Sequence, residues 1–124
     1  MLRCVLAFLL TLAAALPAQA QRVFQANALR GELVVTQPPE ALLNGKPARL
    51  SPGARIRNRS NMIQLSGSLL GQALAVNYTL DPSGELRDVW ILSEAEQAKK
   101  PWPATPEQAR SWVFDSTTQS WSKP

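Results

Sequence analysis

Apolar and polar residues alternate most regularly in the second half of the chain. Four apolar residues there are separated by smaller or polar ones: Leu74, Val76, Tyr78 and Leu80. This period of two is typical of a strand with one buried face. The segment Asp81-Pro82-Ser83-Gly84 then has favourable residues for a type I turn followed by a bulge. We therefore predict a β-hairpin whose register pairs Tyr78 with Asp88 and Val76 with Trp90.

Further strands are predicted in the first half of the chain, each bounded by turn residues. Alternation from Leu29 to Thr36 predicts a strand that ends at Pro38-Pro39, because proline cannot donate a ladder hydrogen bond. The dipeptide Asn44-Gly45 suits the positive φ angles of a two-residue hairpin turn. Three more segments are predicted on similar grounds: a turn at 51–53 and extended segments at 54–58 and 61–65.

Two short helices are predicted near the C-terminus. Ser93 and Glu96 have the spacing of a capping box, and Thr105-Pro106 places proline at the first helical position of a helix that reaches about Phe114. Residues 116–124 are polar and unpatterned, so we expect them to fray. The pattern as a whole predicts a mainly-β fold: a small barrel or a strongly bent antiparallel sheet of about five or six strands, with one or two short C-terminal helices.

The N-terminus has the organisation of an export signal. The basic tripeptide Met1-Leu2-Arg3 precedes an almost unbroken apolar run from Cys4 to Leu16, and Ala18-Gln19-Ala20 fits the small-x-small cleavage pattern. The run is shorter than the ~20 residues that span a bilayer. We expect residues 1–20 to be a cleaved signal peptide, which predicts a periplasmic or secreted protein with no transmembrane span in the mature chain. An uncleaved membrane anchor is the alternative.

The mature chain then divides into a mainly-β domain, residues 21–98, and an extension containing proline and tryptophan, residues 99–124. The chain has one cysteine, Cys4, and no histidine. The mature protein is therefore expected to lack thiol and imidazole groups, which excludes disulfides, thiolate catalysis and zinc sites built on them. The sequence has no nucleophile elbow, glycine-rich phosphate loop or calcium loop. We therefore predict a protein that is not an enzyme and binds no cofactor or metal.

The charge is unevenly distributed along the chain, whose formal net charge is +4. Residues 21–60 have seven basic side chains and two acidic ones, a net charge of +5, whereas residues 61–124 have five basic and seven acidic, a net charge of −2. Two interpretations remain open. In the first, the opposite charges of the two halves pair with each other within the molecule. In the second, the first half presents a basic face to a partner.

Three arginines alternate within the predicted segment 54–58 and just beyond it: Arg55, Arg57 and Arg59. Side chains two apart on a strand lie roughly 6.6 Å from each other, a spacing that suits the phosphates of an anionic polymer or lipid headgroups. The alternative is a solvated strand face that prevents edge pairing. No aromatic residues are interleaved with the arginines, which disfavours nucleic acid as the ligand.

Asp88 lies on the apolar face of the predicted hairpin, where a carboxylate must be paired. In the structural interpretation, Asp88 forms a buried polar pair with Tyr78 or a bond to a nearby arginine. In the catalytic interpretation, Asp88 is a general acid or base with a raised pKa.

Tryptophans are concentrated in the extension: Trp102, Trp112 and Trp121. Trp102 lies between two prolines in a segment expected to be extended. Trp102 and Trp112 are candidates for contact with a partner protein or a membrane interface. The alternative is that these rings pack back over the protein's own core.

Three segments carry a resemblance to known sequences: 54–58 (ARIRN), 77–81 (NYTLD) and 87–92 (RDVWIL). They resemble small exported proteins of proteobacteria for which no activity is known. The resemblance implies a periplasmic or secreted location and gives no site residues.

Three functions are consistent with the sequence. The first is a non-catalytic module of the bacterial envelope that binds a protein or an envelope component. The second is a binder of anionic polymers (envelope polysaccharide, lipid headgroups or nucleic acid) through the arginine strand. The third is a hydrolase that uses Asp88.

Overall fold

The computed structural model describes residues 22–124. The predicted signal peptide, residues 1–20, lies outside the described residues. Seven strands, two helices and one 3-10 turn follow in chain order: β1 (Leu29–Gln37), β2 (Glu40–Leu43), β3 (Lys46–Arg57), the 3-10 turn (Ser66–Ser68), β4 (Leu74–Leu80), β5 (Leu86–Ile91), α1 (Glu94–Gln97), α2 (Pro106–Ser111), β6 (Val113–Asp115) and β7 (Ser120–Ser122). Across this range, no helix is long and apolar enough to cross a bilayer.

Five strands close into a barrel in the order β1-β2-β3-β5-β4, and β4 pairs with β1. All pairs are antiparallel except β3 with β5, which run parallel. The predicted mainly-β fold is confirmed in its barrel form, and the parallel pair is an addition to the prediction. The connectivity is that of the OB-fold, a small Greek-key barrel. That likeness describes an architecture shared by unrelated functions, so function must be argued from the site.

Both predicted hairpin turns have the expected backbone. Asn44 and Gly45 have φ angles of 54° and 79°, as a two-residue turn with two positive φ angles requires. In the second turn, the Asp81 Oδ1 atom accepts hydrogen bonds from the backbone N–H groups of Ser83 and Glu85, and Gly84 has a φ of 86°. These local signals were sufficient because each turn depends on neighbouring residues alone.

Two local predictions in the first half were wrong. Residues 51–53 do not form a turn, because β3 continues through them, with a shift in its register against β5 between Leu50 and Arg55. Residues 61–65 do not form a strand: they have only an isolated bridge between Arg57 and Ile63. Within β3, Pro52 and Gly53 therefore mark an irregular stretch of a long strand and not the end of that strand.

The predicted register of the β4–β5 hairpin was correct only next to the turn. Leu80 pairs with Leu86 as predicted, but Tyr78 then pairs with Val89 and Asn77 with Trp90. One residue of β4, Thr79, lies opposite two residues of β5, which is the count of a β-bulge. Since side chains alternate between the two faces of a strand, the bulge moves Trp90 away from Val76 and onto the outer face of the barrel.

The barrel interior is packed with aliphatic side chains and one tyrosine. Thirteen buried residues form this core: Leu29, Leu33, Val35, Ala41, Leu50, Ile56, Leu69, Leu74, Val76, Tyr78, Leu86, Val89 and Ile91. They come from all five barrel strands and from the segment that joins β3 to β4. At ~25 cal/mol per Å² of apolar surface removed from water, this burial is the main stabilising contribution in a domain without disulfides.

The C-terminal segment is more ordered than its sequence suggests. α1 has the predicted capping box, in which the Ser93 hydroxyl accepts from the Glu96 N–H and the Glu96 carboxylate accepts from the Ser93 N–H. α2 begins at the predicted proline but ends at Ser111, before Phe114. Residues 116–124, which we expected to fray, contain β7, and β7 pairs with β6 in a second, two-stranded sheet.

Candidate functional site

A second apolar cluster lies on the outside of the barrel and positions the candidate site. Its buried members are Phe24, Ala28, Trp90, Leu92, Trp102 and Trp121, and we call it the aromatic layer. The ring of Phe24 lies edge-on to those of Trp90 and Trp102, at centroid distances of 5.6 and 5.8 Å. The Trp102 Nε1–H donates to the Ala28 carbonyl oxygen at 2.9 Å. The layer thus binds the segment before β1 and the C-terminal extension to the barrel.

A cleft of about 700 Å³ opens beside the aromatic layer. Its walls come from the segment before β1, from β1, from the turn after β3, and from the chain around and beyond α1. The charged and aromatic side chains that line it are Arg22, Phe24, Arg30, Arg59, Glu96, Lys99 and Trp102. Four cations and one carboxylate give this lining a net charge of +3, while the whole chain has only +4.

The single carboxylate of the cleft is fully occupied by one of the four cations. The Arg22 Nε and Nη2 atoms donate to the Glu96 carboxylate at 2.9 and 2.6 Å, and both side chains are largely buried. Arg22 also donates to the carbonyl oxygens of Asn58 and Ile91. Burial raises the pKa of Glu96, but hydrogen bonds from Arg22 and Ser93, together with the Arg22 charge, outweigh it and lower the pKa. This pair is therefore structural: it joins the N-terminal segment, the end of β5 and α1.

Arg30 is a half-buried cation of the cleft with no ion pair within residues 22–124. Its Nε donates to the Asn77 Oδ1 atom at 3.0 Å, its Nη1 donates to the Lys99 carbonyl oxygen, and its guanidinium lies 4.6 Å from the Trp102 ring centroid. Its Nη2 is buried and has no hydrogen-bond partner within residues 22–124. Burial lowers the pKa of Arg30 to about 10, against the opposing effect of the Glu96 charge. The guanidinium thus stays charged at neutral pH.

Two further cations complete the cleft without an ionic partner in the described part of the chain. The Arg59 Nε donates to the Leu92 carbonyl oxygen at 3.0 Å, and Arg59 as a whole is an exposed residue. The Lys99 Nζ donates to the Thr118 carbonyl oxygen at 3.0 Å, which leaves two ammonium protons for other acceptors. Carbonyl bonds hold both side chains in place but do not neutralise their charge, so they retain their attraction for an anion.

The three arginines predicted to share one strand face have different environments. Arg55 and Arg57 project outward from β3, opposite the buried Ile56, as the alternation predicted. Arg57 forms an ion pair with Asp88 at 3.6 Å, whereas Arg55 is exposed. Arg59 follows the end of β3 and lines the cleft. The structure thus separates Arg59 from the other two and places it with Arg30 and Lys99.

The predicted buried pair of Tyr78 and Asp88 is wrong. The Tyr78 hydroxyl donates to the Ala104 carbonyl oxygen at 3.3 Å, while Asp88 accepts from the Thr79 hydroxyl at 3.4 Å and pairs with Arg57. The β-bulge is the cause, because it places Asp88 on the outer face while Tyr78 stays in the barrel core. Asp88 is instead paired with a nearby arginine, Arg57, which was the other structural interpretation. Within residues 22–124, no group of three acidic side chains converges as a metal site would require.

The tryptophans of the extension have unequal exposure. Trp102 and Trp121 are buried in the aromatic layer, as the second interpretation of these residues predicted. Trp102 also borders the cleft. Arg59, a candidate from the arginine strand, and Trp102, a candidate from the C-terminal extension, therefore line the same cleft. Trp112 is half-buried beside the layer, where the Lys123 ammonium lies 5.4 Å from its ring centroid. Its role as a partner contact stays a prediction.

Several residues of the cleft were not predicted from the sequence as site residues: Arg22, Phe24, Arg30, Glu96 and Lys99. The one sequence signal that pointed towards them was the excess of basic residues before residue 61. Part of that excess is matched within the molecule, since three ion pairs join the two halves: Arg22–Glu96, Arg49–Glu85 and Arg57–Asp88. Arg30, Arg55 and Arg59 have no ion pair among the residues that the structure describes, and two of these three line the cleft.

Comparison with protein-family profiles, curated proteins and solved structures finds no match to the chain. The resemblance to small exported proteobacterial proteins therefore stays an expectation from the sequence.

Proposed function

We propose that the protein is a non-catalytic binding module of the periplasm or extracellular space whose cleft binds an anionic group, a phosphate or a carboxylate. The observation that carries the proposal is the half-buried positive charge of Arg30, which has no ion pair within residues 22–124. Arg59 and Lys99 border the same cleft and are not neutralised by any acid in that range.

The electrostatics support an anion over a neutral ligand. A cation that is taken partly out of water without an anionic partner destabilises the folded state, and a bound anion relieves that cost. The aromatic layer lowers the local dielectric next to Arg30, so the attraction for an anion is larger there than at an exposed arginine. The Glu96 charge acts on Arg30 from a distance, but Glu96 makes no hydrogen bond to Arg30, and both of its oxygens are bound by Arg22.

The size of the cleft suits the anionic end of a small ligand or of a polymer. Ligand pockets typically have volumes of about 300–1,000 Å³, and this cleft falls within that range. Guanidinium groups bind carboxylates and phosphates through paired hydrogen bonds, and Arg59, which donates through Nε alone in the described range, keeps two Nη groups for either anion. The proposal thus revises the arginine-strand hypothesis, since the binding cations come from three parts of the chain.

The test uses two probes on the protein from residue 21 onward: inorganic phosphate and oligogalacturonate. Isothermal titration calorimetry compares the wild type with the double variant R59A/K99A. Each charge-assisted hydrogen bond contributes roughly 1.5–3 kcal/mol, so we expect affinity for the better probe to fall by at least about tenfold. The control variant K46A/R110A removes two exposed basic residues that are remote from the cleft and should keep wild-type affinity.

Salt provides a second measurement. Binding to a cationic cleft should weaken as sodium chloride is raised, and the dependence should be shallower in R59A/K99A because fewer charges contribute. The proposal is overturned if neither probe binds the wild type, or if R59A/K99A binds with unchanged affinity and salt dependence.

A further inference from the structure

The segment that joins β3 to β4 exposes an unusual amount of apolar surface. We call residues 60–71 the apolar loop. Four of its large side chains are strongly exposed: Met62 (62%), Ile63 (60%), Leu65 (78%) and Leu70 (52%). The chain has no charged residue between Arg59 and Asp81. Scattered exposed apolar residues are ordinary, but four within nine positions form a patch of the kind that marks an interaction surface.

The apolar loop has a defined backbone, which holds these side chains outward. The Asn58 Oδ1 atom accepts from the N–H groups of Ser60 and Met62 at 2.9 and 3.0 Å. The Gln64 N–H donates to the Ile56 carbonyl oxygen, and the Gly71 N–H donates to that of Val35. One side chain of the loop, Leu69, is 3% exposed and packs in the barrel core. The loop is therefore anchored at both ends and in the middle, while its four large apolar side chains stay exposed.

Arginines border the start of this apolar surface. The isolated bridge between Arg57 and Ile63 places the start of the loop beside the outer face of β3, which also carries the exposed Arg55. Arg59 lies in the tight turn that leads into the loop. The one acidic side chain paired with these arginines is Asp88, which is bound to Arg57. Exposed apolar residues bordered by arginines match the interface of an anionic bilayer, where side chains enter the acyl region and cations contact headgroups.

We propose that the apolar loop, together with Arg55, docks the protein on a bilayer that contains anionic phospholipid. Charge favours a bilayer over a second copy of the chain. Two copies that met at this surface would bring their Arg55 and Arg59 side chains together, and like charges oppose such a contact. This proposal does not depend on ligand binding in the cleft.

The experiment is co-sedimentation of the protein with vesicles of phosphatidylcholine, with and without phosphatidylglycerol. We expect binding to the mixed vesicles and much weaker binding to phosphatidylcholine alone. The double variant I63S/L65S should reduce binding to the mixed vesicles at least about tenfold, because it removes two of the four exposed apolar side chains that enter the bilayer. R55A should reduce it by about fivefold, the effect expected for one arginine at an anionic surface.

Two controls separate this surface from the rest of the molecule. V113S changes a side chain that is equally exposed, at 67%, but lies in β6, and it should bind vesicles as the wild type does. K99A changes the cleft alone and should also keep vesicle binding. Near-UV circular dichroism should show that I63S/L65S keeps the native fold, because both residues are exposed.

Three results would overturn the proposal: no binding of the wild type to mixed vesicles, wild-type binding by I63S/L65S, or equal binding to both kinds of vesicle. Sedimentation velocity tests the competing occupant. A concentration-dependent dimer that I63S/L65S abolishes, in a protein that does not bind vesicles, would assign the surface to a second copy.

Discussion

At the scale of single residues, some buried polar atoms have a hydrogen-bond partner and others have none. Two tryptophans of the aromatic layer, Trp102 and Trp121, show the difference. The Trp102 Nε1–H donates to the carbonyl oxygen of Ala28, a residue with no solvent exposure. The Trp121 Nε1–H is buried and has no acceptor within residues 22–124. A buried donor without an acceptor costs about 1–3 kcal/mol, so the same indole group stabilises the fold at one position and not at the other.

Replacement of each tryptophan by phenylalanine should separate these effects. W102F removes a hydrogen bond and leaves the Ala28 carbonyl oxygen unpaired, whereas W121F removes an unsatisfied donor. Both changes reduce the ring by a similar volume, so packing losses largely cancel in the comparison. We expect the free energy of unfolding, measured with urea, to be lower for W102F than for W121F by about 1–2 kcal/mol. Equal values would contradict the hydrogen-bond assignment.

At the scale of elements, the sequence predicts those features that neighbouring residues decide. The turns at Asn44-Gly45 and at 81–84 and the capping box of α1 depend on local hydrogen bonds and φ angles, and all three were predicted. The bulge in the β4–β5 hairpin was not, because residues 89–92 are apolar and support either register. The correct register places Trp90 on the outer face, where it packs on Phe24. That preference is set by residues distant in sequence.

The cleft, too, could be predicted from the sequence only in part. Its cations lie at positions 22, 30, 59 and 99, and only the third belonged to a recognisable pattern. Arg30 is one basic residue in an ordinary strand, and its partial burial becomes evident only when the C-terminal extension covers the barrel. Charge counting located the basic half of the chain. The fold decides which of those charges remain without a partner.

Helix α1 depends on the Arg22–Glu96 pair for its position, which predicts a pH dependence. The pKa of Glu96 lies below its ordinary value of 4.5 in the folded protein. The resulting stabilisation is present above that ordinary value and is lost as pH falls through the folded value. The variant E96Q retains an amide oxygen that can accept from the Ser93 N–H but loses the negative charge that binds Arg22.

We therefore expect E96Q to be less stable than the wild type at neutral pH by about 1–2 kcal/mol, with a difference that shrinks as the pH falls below about 4.5. Thermal unfolding of both proteins across this range measures it. A matched control is E94Q, which changes an exposed acid in the same helix with no ion pair in the described range. A difference between wild type and E96Q that stays constant with pH would show that the charge of Glu96 is not what stabilises α1.

At the scale of the whole molecule, the protein has two apolar clusters with different roles. The barrel core is enclosed by five strands in a closed ladder. The aromatic layer lies outside that ladder and is formed by chain segments from both ends of the described range, 22–28 and 99–124, packed on Trp90 and Leu92. The cleft lies at this outer junction, so its geometry depends on the aromatic layer more than on the barrel.

Opening of the aromatic layer should therefore cost less free energy than global unfolding, and hydrogen exchange can measure the difference. We expect amides of β1, β4 and β5 to exchange most slowly and those of β6 and β7 to exchange faster. W121A removes one ring that contacts both Trp102 and Phe114. It should accelerate exchange in residues 22–28 and 99–124 while the barrel strands stay protected, and it should weaken binding of the cleft ligand. Uniform loss of protection in all strands would mean instead that the two clusters unfold as a single cooperative unit.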